Sequence, residues 1–401
     1  MLIKYLNKDT LKSIQIEYLQ IHIMIELNQL LNNGLFIGCL VLFYLTISVQ
    51  LYYIFFIFRK LAFYSPNDKT EQGEIPLSII IASRNDGKAL EENLESVLNQ
   101  SYSKFEVIVV NNNSVDHSKQ VLSELKKNHP HLKIVEFNNS RHIRPGKKLP
   151  ITIGIKAAKN ELLILTDADC RPASRLWLKK MAQGFSNKEE VILGYGPYYK
   201  ANGILNRIIR FDTAWIGVNY LSFALNKIPY MGVGRNLAYT KEAYHSVDGF
   251  KSHYSLASGD DDLFVQEVSK KSPLGIQIDT DSFCYSSTKK TWSAWIKQKS
   301  RHYTTSSKYG FIKKLLLAIY PISLILAWFS FVSLVIVGDS LFIFITIMSV
   351  FCLIKWWIQG RCLLKLNERK FALLFPFWDI FYAVLSPLIF LFGKTKRNNN
   401  W

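Results

Sequence analysis

The chain has 401 residues, of which 49% are hydrophobic and 14% aromatic, and this composition excludes an intrinsically disordered protein. The length accommodates one domain of about 200–250 residues together with further elements. The formal net charge of +18 suits either nucleic acid or the anionic surface of a membrane. Basic pairs such as Arg59-Lys60 and Lys313-Lys314 adjoin apolar runs, and the sequence has no zinc-finger spacing. We therefore predict contact with membrane lipids and no nucleic-acid partner.

The N-terminal part of the chain contains a candidate membrane anchor. Leu35–Phe58 is a run of 24 residues without a charge, which is long enough to cross about 30 Å of hydrocarbon. We predict an amphipathic, interfacial segment at 1–33 and a transmembrane anchor at 34–60. We therefore predict an integral membrane protein. Arg59 and Lys60 follow the run directly, so the positive-inside rule places the next domain in the cytoplasm.

The C-terminal part, residues 311–401, is predicted to be a second membrane region. Two apolar segments at about 315–337 and 341–358 form a helical hairpin around the turn at 338–340. A last apolar run, 371–393, either spans the membrane or is re-entrant. It contains Asp379 and two prolines, and a span would place the basic cluster Lys394–Arg397 outside the cell. We therefore favour a broken, re-entrant or interfacial pair of half-helices.

The middle of the chain, residues 70–310, alternates strand patterns with helix patterns, which predicts an α/β domain with a mostly parallel, doubly wound sheet. The four predicted strands are Pro76–Ala82, Phe105–Val110, Leu132–Phe137 and Leu162–Thr166. Sheets of this kind bind ligands at the carboxyl ends of their strands. Polar residues follow three of the strands there, at 83–86, 111–116 and 167–169. The sequence has neither GxGxxG after the first strand nor GxxxxGK[ST], which argues against dinucleotide-binding and P-loop domains.

Asp167-Ala168-Asp169 is the most informative of these segments. Two carboxylates at the end of a strand can hold a hard divalent cation such as Mg²⁺ or Mn²⁺, which in turn neutralises a diphosphate. Asp260-Asp261-Asp262 lies 91 residues further on. Three adjacent carboxylates repel one another, which makes one of them a candidate general base with a raised pKa. The alternative is a solvated acidic helix N-terminus.

A third segment, Thr291–Tyr303, precedes the second apolar region. Trp292, Trp295, Gln298, Arg301 and His302 share one helical face, which suits either an interfacial helix with aromatic anchors or a ligand-binding helix.

Taken in order, the motifs resemble those of the family 2 inverting glycosyltransferases, which include cellulose, chitin and hyaluronan synthases and ceramide glucosyltransferases. The matching segments lie at 80–86, 109–116, 146–148, 166–172, 234–238, 249–250, 259–262 and 298–302. The resemblance covers about residues 74–305. It implies a Rossmann-like nucleotide-sugar-binding domain of the GT-A type that uses Mg²⁺ or Mn²⁺.

The resemblance also implies roles for individual residues. The nucleoside part of a nucleotide-diphosphate sugar, by family odds a UDP-sugar, would contact Ser83, Asn85, Asp86, Asn111 and Asn112. Lys147 or Lys148 would lie near the phosphates, Asp167 would contact the nucleotide or the metal, and Asp169 would bind the metal. Asp260 would be the base, with Asp261 as the alternative and Asp262 beside them. Gln298, Arg301 and His302 would bind the diphosphate or close over the acceptor.

The sequence departs from the family pattern at three places. Asn111-Asn112 replaces a pair of aspartates, Gly259 replaces a glutamate, and His302 replaces a tryptophan associated with stacking on the acceptor sugar in processive synthases. With few membrane segments as well, the sequence favours transfer of a single sugar to a lipid or lipid-linked acceptor. A processive polysaccharide synthase that extends a glycan is the first alternative. A catalytically inactive membrane scaffold is the second.

Overall fold

The computed structural model describes residues 8–66, 74–137, 146–186, 188–337 and 341–395. The described helices are, in chain order, α1 Lys8–Tyr52, α2 Arg59–Ala62, α3 Gly87–Leu98, α4 Ser118–Asn128, α5 Lys148–Ala157, α6 Trp177–Gln183, α7 Ile204–Leu225, α8 Lys241–Ser246, α9 Asp262–Val268, α10 Trp292–Ser306, α11 Phe311–Val337, α12 Leu341–Lys365, α13 Arg369–Leu373 and α14 Phe375–Thr395. A π-helical stretch, Tyr53–Phe58, joins α1 to α2. Residues 1–7, the predicted turn at 338–340, and Lys396 and Arg397 lie outside the described residues, as do 70–73, 138–145 and 187 of the predicted central domain.

The chain divides into two compact units. The first contains the chain up to Tyr52 together with Ile319–Ile354, and it consists of α1 with parts of α11 and α12. Within it, the Gln50 side chain donates to the carbonyl oxygen of Tyr320 at 2.8 Å and to Ser323 Oγ at 2.9 Å. A buried amide in apolar surroundings is costly unless it is hydrogen-bonded, so these two bonds allow Gln50 to lie among apolar helices.

Three of the described helices are long and apolar enough to cross a membrane, by length and composition: Asn33–Ala62, Phe311–Ile336 and Phe342–Lys365. They coincide with the three predicted spans. Helix α1 continues without a break through residue 33, so the predicted boundary between an interfacial segment and an anchor does not coincide with a helix end.

The last apolar run differs from the predicted pair of half-helices. The chain breaks at Leu374, between α13 and α14, and then forms one helix of 21 residues with Pro387 inside it. Pro376 is the second residue of α14, where a backbone N–H has no intrahelical partner to lose. The proline therefore marks the start of the helix, and α14 continues through Pro387.

The second unit, Tyr53–Ala318 with the chain from Lys355 onward, contains the sheet. Its strands are β1 Leu77–Ser83, β2 Phe105–Asn112, β3 Leu132–Phe137, β4 Leu162–Asp167, β5 Arg171–Pro172, β6 Val191–Gly194, β7 Leu237–Thr240, β8 Leu274–Gln277 and β9 Cys284–Tyr285. The main sheet has the order β3-β2-β1-β4-β7-β6-β8, and β5 pairs with β9 separately. Only β7 runs antiparallel to its neighbours in the main sheet. The predicted α/β fold with a mostly parallel sheet is confirmed.

Helices cover both faces of the sheet, which is why β1 is buried at all seven positions and reads as a continuous apolar run. Leu90 and Leu94 of α3 and Trp177 of α6 belong to one core cluster with β1, β2 and β4. Helix α5 approaches closely because Gly154 has no side chain: a Cβ there would lie 2.6 Å from Ile80 Cγ2.

The topology places the site. From β1 the chain proceeds outward through β2 and β3, and it then returns to place β4 on the other side of β1. The chain therefore leaves β1 and β4 toward opposite sides of the sheet, and a crevice forms between the carboxyl ends of these two strands. Ala82 and Asp167 are facing partners in the two strands. The polar segments after them meet at this edge of the sheet, as the sequence predicted.

Candidate active site

A cavity of about 570 Å³ opens at the carboxyl ends of β1 and β4. Asn85 and Asp86 line it from the loop after β1, and Asp167 and Asp169 line it from the end of β4. The acidic segment Asp260–Asp262 lies on the wall of the same cavity, as does one face of α10. The fold thus places residues that lie far apart in the sequence around one space.

The loop after β1 is held by its neighbour after β2. The amide of Asn85 donates to Ser114 Oγ at 2.9 Å, and the Asn85 side chain accepts from the amide of Val115, also at 2.9 Å. Asn85 has a positive φ of 55°, a conformation that asparagine tolerates better than most residues. Asp86 lies beside it, and burial raises the pKa of its carboxyl. These bonds fix one wall of the cavity.

Asp167, Asp169 and Cys170 form a candidate cation site, because their ligand atoms all lie within 4.8 Å of one another. A tight turn brings them together, in which the Cys170 amide donates to the carbonyl oxygen of Asp167 at 3.1 Å. Burial raises the pKa of the Cys170 thiol, so the effective donors are the two carboxylates. Oxygen donors suit Mg²⁺ or Mn²⁺ better than a thiophilic metal.

The three adjacent aspartates have different surroundings. The Asp262 carboxylate accepts hydrogen bonds from Thr305 Oγ1 at 2.5 Å and from the Tyr309 hydroxyl at 2.7 Å. The Asp261 side chain caps α9 by accepting from the Asp262 amide at 2.7 Å, and it also accepts from the Gly234 amide at 3.2 Å. Among the described residues, the Asp260 carboxylate has only its own backbone amide as a donor.

These differences single out Asp260. Burial and the nearby Asp261 carboxylate raise the pKa of Asp260 to about 6. Burial and Asp262 raise the pKa of Asp261 to about 6 as well, but its oxygens are already engaged. A general base needs an uncommitted oxygen and a pKa near the working pH, and Asp260 has both.

Gly259 explains one departure from the family pattern. Its φ of +102° is a conformation that side-chain-bearing residues rarely adopt, and a Cβ there would lie 2.8 Å from Leu263 Cδ1. A glutamate at this position would require a different backbone path into α9.

Helix α10 directs Gln298, Arg301 and His302 into the cavity. The Gln298 amide donates to the Tyr198 hydroxyl at 3.1 Å. Burial, with Arg301 and Lys299 nearby, lowers the pKa of His302 to about 3, so this imidazole is neutral at physiological pH. A neutral ring can donate or accept a hydrogen bond without adding to the positive charge.

Four predicted site residues lie off the cavity wall: Ser83, Asn111, Asn112 and Lys148. Ser83 is buried within β1. Strand β2 extends through both asparagines, and the Asn111 amide donates to the Glu136 carboxylate of β3 at 3.1 Å.

Lys148 lies behind the acidic segment. Its ammonium donates to the carbonyl oxygen of His253 at 2.5 Å and to that of Leu256 at 3.3 Å. Of the two lysines between which the sequence did not decide, Lys147 is the one on the cavity wall.

Arg235 and Tyr198 are cavity residues that the sequence analysis did not select. The Arg235 guanidinium lies 4.3 Å from the centre of the Tyr198 ring, and it donates to Ser286 Oγ at 2.9 Å. Its neighbour Asn236 is fully buried and bonds the backbone oxygens of Tyr195 and Ser282. The signal in the sequence was the single cation of Gly234-Arg235-Asn236, which lies within one of the segments that resemble family 2 glycosyltransferases.

Residues 78–247 match the family model described as Glycosyl transferase family 2. The chain carries a family 2 glycosyltransferase domain. The matched region includes the polar ends of β1 and β4, whereas Asp260 and α10 lie beyond it and reach the cavity through the fold.

Two curated relatives agree with the family 2 domain. A poly-β-1,6-N-acetyl-D-glucosamine synthase of Staphylococcus epidermidis is 32% identical over 118 residues, which are 29% of this chain and 27% of that protein. The probable glycosyltransferase YdaM of Bacillus subtilis is 23% identical over 249 residues, which are 59% of this chain and 56% of that protein. The chain thus matches about a quarter of one relative and about half of the other.

A solved structure shares the fold. The mannosyltransferase PcManGT from Pyrobaculum calidifontis, in complex with GDP-Man and Mn²⁺, has a TM-score of 0.54 at 17% identity. The likeness covers 88% of this chain and 99% of that one. It agrees with the predicted GT-A type of fold for the family 2 domain.

Proposed function

We propose that this protein is a membrane-bound, inverting glycosyltransferase that moves a sugar from a nucleoside-diphosphate sugar to an acceptor hydroxyl. The observation that carries the proposal is one cavity that holds both the candidate cation site, Asp167 and Asp169, and the uncommitted carboxylate of Asp260. An inverting transfer needs these two functions on the same reacting centre, one for the leaving diphosphate and one for the attacking hydroxyl.

Asp260 is the proposed base. Its carboxylate takes the proton of the acceptor hydroxyl as the hydroxyl oxygen forms a bond to the anomeric carbon. The bond from that carbon to the diphosphate oxygen breaks, and the electron pair leaves with the nucleoside diphosphate. Attack from the face opposite the leaving group inverts the anomeric centre.

The cations on the cavity wall serve the leaving group. Lys147, Arg235 and Arg301 line the cavity and offset the negative charge of the diphosphate. Asp167 and Asp169 would hold a Mg²⁺ or Mn²⁺, which would supply further neutralisation of that charge. The PcManGT complex contains Mn²⁺ and GDP-Man, which supports a divalent cation and a nucleotide-sugar donor in this fold. We propose a UDP-sugar as the donor here, because the resemblance to family 2 glycosyltransferases favours uridine as the nucleoside.

The proposed acceptor is a lipid or lipid-linked molecule, and the catalytic domain is proposed to be cytoplasmic. Three candidate spans support a location at the membrane. His302, which departs from the tryptophan that the resemblance implies for processive synthases, supports a single transfer. Cytoplasmic placement is tested by labelling in sealed cells: a cysteine introduced at exposed Lys88 should react with a membrane-impermeant maleimide only after lysis.

A processive polysaccharide synthase is the second candidate, because the S. epidermidis relative bears the name of one. Membranes incubated with labelled donor separate the two. Single transfer predicts one small, lipid-extractable product, and a ladder of long polymer would establish the alternative.

The activity itself is tested with purified full-length protein, nucleotide sugars, Mn²⁺ and membrane lipid extract. Wild-type protein should release nucleoside diphosphate, and Asp260→Asn should reduce the rate at least about a thousandfold. Asp169→Asn should require much more Mn²⁺, whereas Glu91→Gln, on the exposed face of α3, should behave as wild type. Full cellular function of folded Asp260→Asn, Asp261→Asn and Asp169→Asn proteins would instead support the inactive scaffold.

A further inference from the structure

A buried polar network joins three helices at one side of the cavity. The Asp212 carboxylate of α7 accepts two hydrogen bonds from the Lys299 ammonium of α10, at 2.8 and 3.0 Å. The Tyr382 hydroxyl of α14 donates to the same carboxylate at 2.5 Å. Asp212 and Lys299 retain 3% and 7% of their exposure, so this ion pair is largely out of water.

Apolar contacts surround the network and involve the same three helices. Trp295 of α10 packs in one cluster with Ile208 and Ile209 of α7 and Ile389 of α14. Tyr303 of α10 also meets Phe390 of α14, with 5.1 Å between ring centres. Helix α10 is therefore held between α7 and α14 on the side where the network lies.

The network is poorly explained by stability alone. Removing two charges from water costs several kcal/mol per ion, and replacing a buried ion pair by apolar residues is often neutral or stabilising. A buried ion pair with directional hydrogen bonds does, however, fix the relative position of the helices to which its two residues belong. Here Lys299 lies next to Gln298 and two residues before Arg301 on α10.

The consequence for the cavity follows from helix geometry. Side-chain ends lie about 5–6 Å from the helix axis, so a rotation of α10 by about 10° moves them about 1 Å. A misplacement of about 1 Å can cost on the order of a hundredfold in rate. The position of α10 therefore matters for Gln298, Arg301 and His302, which all face the cavity.

We infer that Asp212, Lys299 and Tyr382 are positioning residues, which fix α10 against α7 and α14 and so hold its polar face in the active-site cavity. The inference rests on the proposed glycosyl transfer. It makes α14, an apolar helix whose Tyr382 lies off the cavity wall, a determinant of the turnover rate.

Tyr382→Phe tests the inference, because it removes one hydroxyl and retains the ring. We expect kcat to fall about tenfold while the KM values for donor and acceptor change less than about twofold. Hydrogen–deuterium exchange in the peptide covering residues 296–306 should become faster. Phe381→Leu is the control, since Phe381 immediately precedes Tyr382 in α14 and is exposed, and it should retain wild-type kcat and exchange.

Three results would overturn the inference: unchanged kcat and exchange in Tyr382→Phe, an equal loss of kcat in Phe381→Leu, or a rise in acceptor KM alone. The last result would assign the network to direct acceptor binding. If Tyr382→Phe does not accumulate as folded protein, Asp212→Asn is tested by hydrogen–deuterium exchange alone, because Asp212 also lines the cavity and its kinetics would include any direct ligand contact. Faster exchange over residues 296–306 is expected, and unchanged exchange would overturn the inference. If wild-type protein has no transferase activity, the proposed function fails, and the exchange measurement still decides whether the network positions α10.

Discussion

The Lys147 ammonium lies 2.5 Å from Oδ1 of Asp167, the residue that ends β4 and faces the cavity. Burial alone would lower the pKa of Lys147, but the carboxylates of Asp167 and Asp260 raise it. Burial alone would raise the pKa of Asp167, but Lys147 lowers it. Both groups are therefore charged, and the lysine shares the carboxylate with any cation that binds there.

This sharing predicts two opposite effects of Lys147→Gln. The KM for the nucleotide sugar should rise about tenfold or more, because a cation that offsets the diphosphate is lost. The Mn²⁺ concentration for half-maximal activity should fall, because Asp167 no longer has a competing ammonium. Kinetics at varied donor and varied Mn²⁺ measure both quantities. A parallel rise in both would show that Lys147 helps to hold the metal site together.

The rate of transfer should depend on pH through Asp260. A base acts in its ionised form, and the pKa of Asp260 in the unliganded protein is raised to about 6, so kcat/KM should fall as pH decreases through about 6. His302, with a pKa lowered to about 3, should add no step between pH 5 and 8. The measurement is kcat/KM for the donor against pH, because this ratio reports ionisations of the unliganded protein. A rate that stays constant down to pH 4.5 would exclude Asp260 as the base.

Asp260→Asn should make the folded protein more stable at neutral pH. The carboxyl has a pKa of about 6 when folded against its ordinary 3.8, so the folded state holds the proton more tightly than the unfolded state. Stability from this group is complete below pH 4 and is lost as pH rises through 6. At pH 7 the asparagine variant should gain about 1–3 kcal/mol, after allowance for the partial exposure of the side chain.

Thermal unfolding of the detergent-solubilised protein measures this effect. The difference in Tm between Asp260→Asn and wild type should be positive at pH 7.5 and should shrink as the pH is lowered toward 4.5. Asp262→Ala is the comparison, because it removes the acceptor of the bonds from Thr305 and Tyr309 and should lower Tm. A lower Tm for both variants would mean that Asp260 supports the fold.

Arg235→Gln should weaken donor binding. The guanidinium lies against the Tyr198 ring and donates to Ser286 Oγ, and it has further donors for a phosphate. Loss of a charge-assisted contact of about 1.5–3 kcal/mol corresponds to a rise in donor Kd of about 10- to 150-fold. Isothermal titration calorimetry with nucleoside diphosphate and Mn²⁺ measures this Kd. Arg175→Gln, an exposed arginine outside the cavity, is the charge-matched control, and an equal loss there would point to a general charge effect.

Much of the fold follows from local patterns in the sequence. The apolar runs that form β1 to β4 are short and bounded by polar residues, and a parallel sheet covered by helices requires such runs. Because parallel strands share one carboxyl edge, Asn85 and Asp167 could be placed near each other without a structure. The same reasoning placed Asn111 and Asn112 in the loop after the second strand, whereas β2 continues through both residues and pairs with β3.

The differences between adjacent residues of the site depend on contacts with residues far away in the sequence, and the local sequence does not predict such contacts. Asp262 differs from Asp260 because Thr305 and Tyr309 reach it from 43 and 47 residues away. Lys147 and Lys148 are adjacent in sequence, but successive residues at a helix start point about 100° apart, so only one faces the cavity. The partners of Asp212 are likewise 87 and 170 residues away.

The central claim is most directly tested by nucleoside-diphosphate release from a panel of nucleotide sugars, with purified full-length protein, Mn²⁺ and membrane lipid extract. The account predicts release from at least one donor by wild-type protein, loss of release on chelation of the metal, and none above background from Asp260→Asn. Folded wild-type protein that releases no diphosphate from any donor, or an Asp260→Asn variant as active as wild type, would contradict it.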